Sequence, residues 1–307
     1  MKVKAYAKIN LYLDVEGKRP DGYHNVATIM QEITLADELI IKLCRQGIKI
    51  GCNKEEVPVD ERNTVYKAVK VLKDYIARHK LSTRKFAGKR GVQIKIIKNI
   101  PAGGGLGGGS SDAATTLVTL NKLWGLGLSV RKLEELGAKI GADVPFFIKG
   151  GAAYGGGRGD VLKPLKPLAP LGVILVNPGY PVSTKWVYEN LKIGLTNKKN
   201  NNIIKKYAHI QQLKKGQSGS NGIKKVTVQH LKTFLYNALT PTVIKRYPAI
   251  AKIQDTLGTR GIKSNLMSGS GATVFGLLAT KKLAQKTKEV LRQPETYWVW
   301  AGMTRNR

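Results

Sequence analysis

The run Pro101 to Ala114, PAGGGLGGGSSDAA, sets two glycine triplets, two serines and an aspartate between a strand-like segment, Val92 to Ile100, and a segment whose apolar residues recur at helical spacing. That arrangement constrains the chain to a strand, a tight glycine turn and a helix start. Glycines let backbone N–H groups turn inward on an anion, and the first helical turn adds unpaired donors and the positive end of its dipole. The stretch therefore reads as a phosphate cradle. A flexible linker, the plainer alternative, does not usually sit between a strand and an amphipathic helix. Gly103, Gly105 and Gly108 satisfy the dinucleotide pattern GxGxxG, but about 20 residues on comes the helix-like LSVRKLEELGAKI in place of a strand ending in an acid. A Walker loop requires Gly-Lys-Ser/Thr, whereas Gly109 is followed by Ser110 and Ser111, so the phosphate-binding lysine is absent.

The 307 residues, 42% of them apolar, can bury one large core or two moderate ones. Two α+β domains are expected, over 1–165 and 166–307, because strands and helices mix without strict alternation and the prolines between Pro164 and Pro170 interrupt any regular element. Alternating strands are expected over Val3 to Val15 and Ile33 to Leu43. Asn63 and Ser129 are positioned to cap helices, the second carrying Leu133, Leu136 and Ile140. Later elements include a strand over Gly172 to Val176, helices near Thr184 to Asn190, Val228 to Ala238 and Pro248 to Leu257, a strand over Ala272 to Leu278, a helix near Lys281 to Arg292 and a last strand, Tyr297 to Met303.

No stretch approaches the roughly 20 apolar residues of a membrane span, and the first residues alternate like a strand without a signal-peptide core, so a cytoplasmic protein is expected. Cys44, Cys52 and four scattered histidines supply no metal-ligand set, and no protein-held metal is expected. The net charge of +32 is concentrated where acids are missing: none occurs between Glu189 and Asp255. Residues Leu195 to Lys225, with paired lysines and the runs NKKNNN and GQSGSNG, read as a basic surface insert. RNA contact is the weaker reading, because Tyr207 is the only aromatic residue there to stack on a base.

A kinase without a Walker lysine must place a cation and a base by other means. Lys8 interrupts an apolar strand, and Asp143 follows a helix in GADVPFF; taken singly, the first reads as an exposed strand lysine and the second as a cap or turn. Four ordered blocks change this: AKINLYLDVEGKRPDGYHNV, PAGGGLGGGSSDAA, GADVPFFIKGGAAYGGGRGD and SNLMSGSGATVFGL. Together they resemble the GHMP kinase superfamily over essentially the whole length. The Asp-Gly-Tyr-His of the first block is similar to a branch whose small-molecule acceptor carries a cytidine and serves non-mevalonate isoprenoid synthesis. The resemblance implies a two-domain architecture, ribosomal-protein-like at the amino end and ferredoxin-like at the carboxyl end. It implies an ATP- and Mg2+-dependent phosphotransferase acting directly on an alcohol.

Carried over by position, the resemblance makes Asp143 the base that accepts the hydroxyl proton and places Lys8 near that hydroxyl and the transferred phosphate. It assigns the ATP phosphates to Pro101, Ala102, Gly103, Gly104, Gly105, Leu106, Gly107, Gly108, Gly109, Ser110 and Ser111, leaving open which serine hydroxyl contacts phosphate or magnesium. Asn63 and Lys98 fall on the adenine side. Asn10, Tyr23, His24, Thr184 and Tyr188 fall at the acceptor's cytidine end, with Tyr188 one helical turn from Thr184. Gly269 and Gly271 are implied to form a second loop over the site, the plainer alternative being a tight turn leading a strand. Family members often carry Asn-Asp-Leu-Glu where this chain has Asn237-Ala238-Leu239-Thr240. A mevalonate- or homoserine-type kinase, or a basic RNA-binding protein on a related fold, remains as an alternative, and a monomer or weak homodimer is the expected assembly.

Overall fold

The computed structural model describes residues 1–80, 91–191, 203–212, 228–291 and 297–306. The chain divides into two compact units. One comprises Met1–Ala7, Leu35–Ala102 and Gly107–Gly150, the other Lys8–Thr34, Gly103–Leu106 and Gly151–Arg307. Strands β1 (Lys2–Lys18) and β2 (His24–Cys44) contribute residues to both.

In the first unit, β3 (Ile48–Cys52) runs parallel to β4 (Gly91–Ile97), and β4 pairs antiparallel with β2 from Glu38↔Ile97 to Cys44↔Gly91. The period of two is plain in β4: Val92, Ile94 and Ile96 are buried while Gln93 and Lys95 are exposed. Helix α1 (Thr64–Arg78) begins at Asn63, whose side-chain oxygen accepts from the Val65 amide at 2.8 Å, and it buries Val65, Val69 and Leu72. It packs against α2 (Gly108–Leu123). Ser129 caps α3 (Val130–Ala138) through the Lys132 amide, and α4 (Val144–Lys149) follows one turn later.

In the second unit, β5 (Ala152–Gly156) lies antiparallel to the first half of β2, from Thr28↔Gly155 to Gln31↔Ala152, and β6 (Val161–Leu165) pairs with β5 alone. Next come β7 (Gly172–Asn177), α5 (Thr184–Glu189), α6 (Ile203–Gln212), α7 (Val228–Lys232), β8 (Tyr236–Asn237), α8 (Thr240–Arg246) and α9 (Pro248–Thr259). Strands β9 (Asn265–Met267) and β10 (Val274–Leu278), helix α10 (Lys281–Val290) and β11 (Trp298–Met303) complete the chain. A four-stranded antiparallel sheet in the order β11-β7-β10-β9 buries Ile174, Val176 and Val274 against Ile250, Ile253 and Leu257 of α9. Truncating any one of these to alanine is expected to cost about 2–5 kcal/mol.

Four sequence expectations are corrected here. Strand β2 begins at His24, not Ile33, because Val26 to Ile33 is buried on both faces apart from no more than edge exposure, so no polar alternation marks it. Among its polar members, the Gln31 amide nitrogen donates to the Glu32, Gly151 and Arg305 carbonyls while Gln31 Oε1 is buried without a partner, and Glu32 accepts from Arg305 Nη1 at 2.5 Å. Pro164 does not interrupt β6, which tolerates it as an edge strand. The basic stretch is not a solvated excursion over 203–212, where α6 buries Ile203, Tyr207 and Ile210 and the Tyr207 hydroxyl donates to the Lys166 carbonyl at 3.2 Å. Its other residues, 195–202 and 213–225, lie outside the described residues, as does Arg292. The helix expected over Val228 to Ala238 stops at Lys232, and Tyr236 and Asn237 instead pair with Tyr12 and Leu13 of β1.

Candidate active site

The glycine run is held by its carbonyls. Val182 donates its amide to the Gly103 oxygen at 3.3 Å, Thr273 donates to Gly104 at 3.2 Å, and Lys8 donates to Leu106 at 3.0 Å. The Ser268 hydroxyl donates to the Gly105 oxygen at 2.9 Å. In a trans peptide the C=O and the following N–H point in opposite directions. Anchoring these four oxygens therefore turns the amides of Gly104, Gly105, Leu106 and Gly107 away from the anchoring groups, as an anion cradle requires. Gly103, Gly105 and Gly107 have φ of 63°, 75° and 70°. At Gly105 the close approach also excludes a side chain, since a Cβ would lie 2.1 Å from the Ser268 oxygen. Pro101 is half-buried, Ala102 exposed, and Leu106 a buried plug between the two triplets.

Gly107 precedes α2, and Gly108 and Gly109 open that helix. Ser110 is partly exposed, with Oγ 3.8 Å from where a Cβ on Gly141 would stand, whereas Ser111 is buried at 1% exposure. Asp143 stands at the N-terminus of α4, yet its side chain makes no capping hydrogen bond.

Lys8 is buried in β1, contrary to the exposed position a lone strand lysine suggests. Its Nζ donates to Asn10 Oδ1 at 2.5 Å, Asn10 Nδ2 donates to Thr28 Oγ1 at 2.8 Å, and Thr28 Oγ1 donates to the Tyr12 carbonyl at 2.7 Å. One Oδ1 lone pair and one Nδ2 hydrogen of Asn10 are thus used by Lys8 and Thr28, leaving one of each.

A second buried lysine has different company. Lys98 Nζ pairs with Asp37 Oδ2 and, at 2.8 Å, with Asp112 Oδ2. Asp37 Oδ1 accepts from the amides of Asn99 and Ile100, which pins the strand end that leads into the glycine run. Asp112 Oδ1 is buried without a partner. Burial pushes the Asp112 carboxyl up to about 7; Lys98 opposes this and Asp37 reinforces it. Burial alone would depress the Lys98 ammonium, but the charges of Asp112 and Asp37 hold it above its ordinary value.

The cytidine-end candidates separate. His24 and Tyr188 stack with ring centroids 5.1 Å apart, and the buried His24 Nε2 has no hydrogen-bond partner. Burial, helped by the charge of Lys18, lowers the His24 pKa, so the ring is neutral near pH 7. Tyr23 is exposed beneath the Arg158 guanidinium, 5.1 Å from its centroid. Thr184 Oγ1 shares a 2.8 Å hydrogen bond with Ser270 Oγ. Ser268 to Gly271 form a tight turn into β10, closed by the Gly271 amide donating to the Ser268 carbonyl, and Ser268 also reaches the glycine run. Asn237 holds this turn by donating to the Met267 and Gly269 carbonyls, each at 2.8 Å.

Thr28, Asp37, Asp112, Asn237 and Ser268 were not among the residues assigned from sequence. Asp112 lies inside the glycine block and Ser268 inside the last block, so motif position marks both. Thr28 and Asp37 carry no sequence signal, since their partners are set by strand pairing and by a contact 61 residues away.

The GHMP kinase N-terminal domain model matches residues 63–151 and the C-terminal model residues 226–295. The chain belongs to the GHMP kinase family. It is similar, at 40% identity over 98% of its length and 97% of the relative's, to the 4-diphosphocytidyl-2-C-methyl-D-erythritol kinase of Geobacter metallireducens. The kinase of the same name from Thermodesulfovibrio yellowstonii is 43% identical over 96% of this chain and 94% of its own. A crystal structure of 4-(cytidine 5'-diphospho)-2C-methyl-D-erythritol kinase superposes with a TM-score of 0.77 at 30% identity, covering 100% of both chains. Homoserine kinase from Cytophaga hutchinsonii, at 18% identity and a TM-score of 0.69, shares the fold. No helix among the described residues is long and apolar enough to cross a membrane.

Proposed function

We propose that this chain transfers the γ-phosphate of ATP to the 2-hydroxyl of 4-diphosphocytidyl-2-C-methyl-D-erythritol, in non-mevalonate synthesis of isoprenoid precursors in the cytoplasm. The acceptor assignment is carried by one observation: a neutral, buried imidazole stacked on Tyr188, with an unpartnered Nε2, offers a flat surface and a polar edge to a base. Full-length similarity to kinases of that name supports it. Tyr23, Thr184 and Asn10 complete the acceptor end in this reading, and Asn10 also accepts from the Lys8 ammonium.

Phosphoryl transfer asks mainly for positioning and charge stabilisation. Asp143 accepts the proton of the acceptor hydroxyl as its oxygen attacks the γ-phosphorus, and the bond to the ADP oxygen breaks in line. Lys8 offsets the charge on the transferred group. The outward amides from Gly104 to Gly107 hold the phosphates, and the hydroxyl contact falls to the partly exposed Ser110, not the buried Ser111. Asn63 and Lys98 lie on the adenine side. Because the Lys98 ammonium is committed to two acids and its N–H donates to Asn53 Oδ1 at 2.7 Å, its contact there falls to the main-chain carbonyl.

The donors at the loop suit magnesium that arrives on ATP: a hydroxyl and backbone amides, with no cluster of three acidic, histidine or cysteine side chains among the described residues. Ser110 would be the protein's contribution to holding magnesium, which when bound would neutralise phosphate charge. The domain division at 165/166 belongs to this proposal.

ADP release with the cytidylyl substrate, mevalonate and homoserine tests the assignment; turnover is expected with the first alone. Turnover of either other alcohol, or salt-sensitive RNA retention without ATP turnover, refutes it. Asp143→Asn should lower kcat about a thousandfold while ATP affinity changes little, and an unchanged kcat removes Asp143 as the base.

A further inference from the structure

We infer that Thr28 is a positioning residue: its hydroxyl decides which end of the Asn10 amide faces Lys8, and so where the Lys8 ammonium is held during phosphoryl transfer. This rests on the functional reading above for Lys8. The Tyr12 carbonyl can only accept, so the single Thr28 proton goes to it, at 2.7 Å. What Thr28 Oγ1 retains is a lone pair. Only the nitrogen end of the Asn10 amide can donate to that lone pair, and Nδ2 does so at 2.8 Å.

The amide oxygen is thereby turned to Lys8, 2.5 Å from Nζ. The reversed amide would set NH2 against NH3⁺ and an oxygen against an acceptor lone pair, losing both hydrogen bonds. Lys8, Asn10 and Thr28 are 4%, 4% and 3% exposed, so little water is available to replace those bonds. The hydrogen-bond chain from Lys8 through Asn10 and Thr28 to the Tyr12 carbonyl therefore has one direction. It is anchored at its far end by a backbone group of the strand that carries Lys8.

Thr28→Val removes the hydroxyl and keeps the branched shape, whereas Thr28→Ser keeps the hydroxyl. With the cytidylyl substrate, the valine variant should lose about tenfold in kcat at a KM for ATP within about twofold of wild type, and serine should restore kcat to within about twofold. In a Lys8→Met background the valine substitution should add no further loss, because the group it positions is gone. Wild-type kcat for Thr28→Val beside a large loss for Lys8→Met overturns the role of Thr28 and leaves that of Lys8 standing. Equal losses from Thr28→Val in both backgrounds also overturn it. Unchanged kcat for Lys8→Met overturns the reading on which the inference rests. Thr28→Ala supplies the same tests if Thr28→Val does not accumulate as folded protein.

Discussion

Lys8 and Lys98 are both buried strand-associated lysines, 4% and 7% exposed, yet each reaches a different set of side chains. Lys8 Nζ donates to the Asn10 amide oxygen, whereas Lys98 Nζ lies between the carboxyl groups of Asp37 and Asp112. Two carboxyl groups closing on one ammonium hold structure together; an amide oxygen that accepts from an ammonium orients it. Two lysines of one sequence type thus acquire different work, Lys98 tying β2, the strand end and α2 together and Lys8 serving the reaction in the proposed function.

The sharpest way to break this contrast is Lys98→Met. Removing the shared cation leaves Asp37 and Asp112 buried together, and the expected loss in unfolding free energy is about 3–5 kcal/mol by urea titration. A variant as stable as wild type would show that the acid pair needs no counter-ion. Lys8→Met should do the reverse: kcat falls about a hundredfold, equivalent to about 2.7 kcal/mol, while the thermal midpoint moves by only a few degrees. Loss of stability in place of activity would make Lys8 another structural lysine.

Tyr188→Ala sharpens the assignment from the side of the acceptor. Loss of its stack on His24 should raise the acceptor KM about tenfold and leave the ATP KM unchanged; a change confined to ATP would mean the stack serves the other substrate. The smallest effect expected is in pH dependence. The Asp112 carboxyl, raised to about 7, keeps in the folded chain a proton that the unfolded chain releases near its ordinary value of 3.8. The folded state therefore binds more protons between those values, and this group makes stability fall as pH rises through that window. Asp112→Asn should flatten the decline in thermal midpoint between about pH 4 and 7, and an unaltered slope would show that Asp112 does not carry the extra proton.

Local rules explain what was legible in the sequence. Asn63 and Ser129 cap their helices because a short polar side chain before an apolar period has one favourable use. The glycine run lies between a strand and a helix, as its flanks demand. The early start of β2 was hidden because a strand buried on both faces loses the period of two. The helix within the basic stretch was hidden because Ile203, Tyr207 and Ile210 are few apolar residues among many lysines, and their burial rests on distant partners such as Lys166.

The candidate site divides along the same line. Which residues the proposed function gives chemistry, the glycines, Lys8, Asp143 and the Tyr23-His24 pair, is assigned from residue type and from four blocks in order along the chain. Their working state follows from contacts between residues remote in sequence. The amides of the cradle are aimed by carbonyl bonds from Lys8, Val182, Ser268 and Thr273. The Lys8 ammonium meets an amide two residues along its own strand, while Lys98 meets acids 61 and 14 positions away. Residue type and local spacing act over a few positions and are written in the sequence; the direction of a hydrogen bond and the balance of buried charge depend on which distant atoms meet, and only the folded chain decides that.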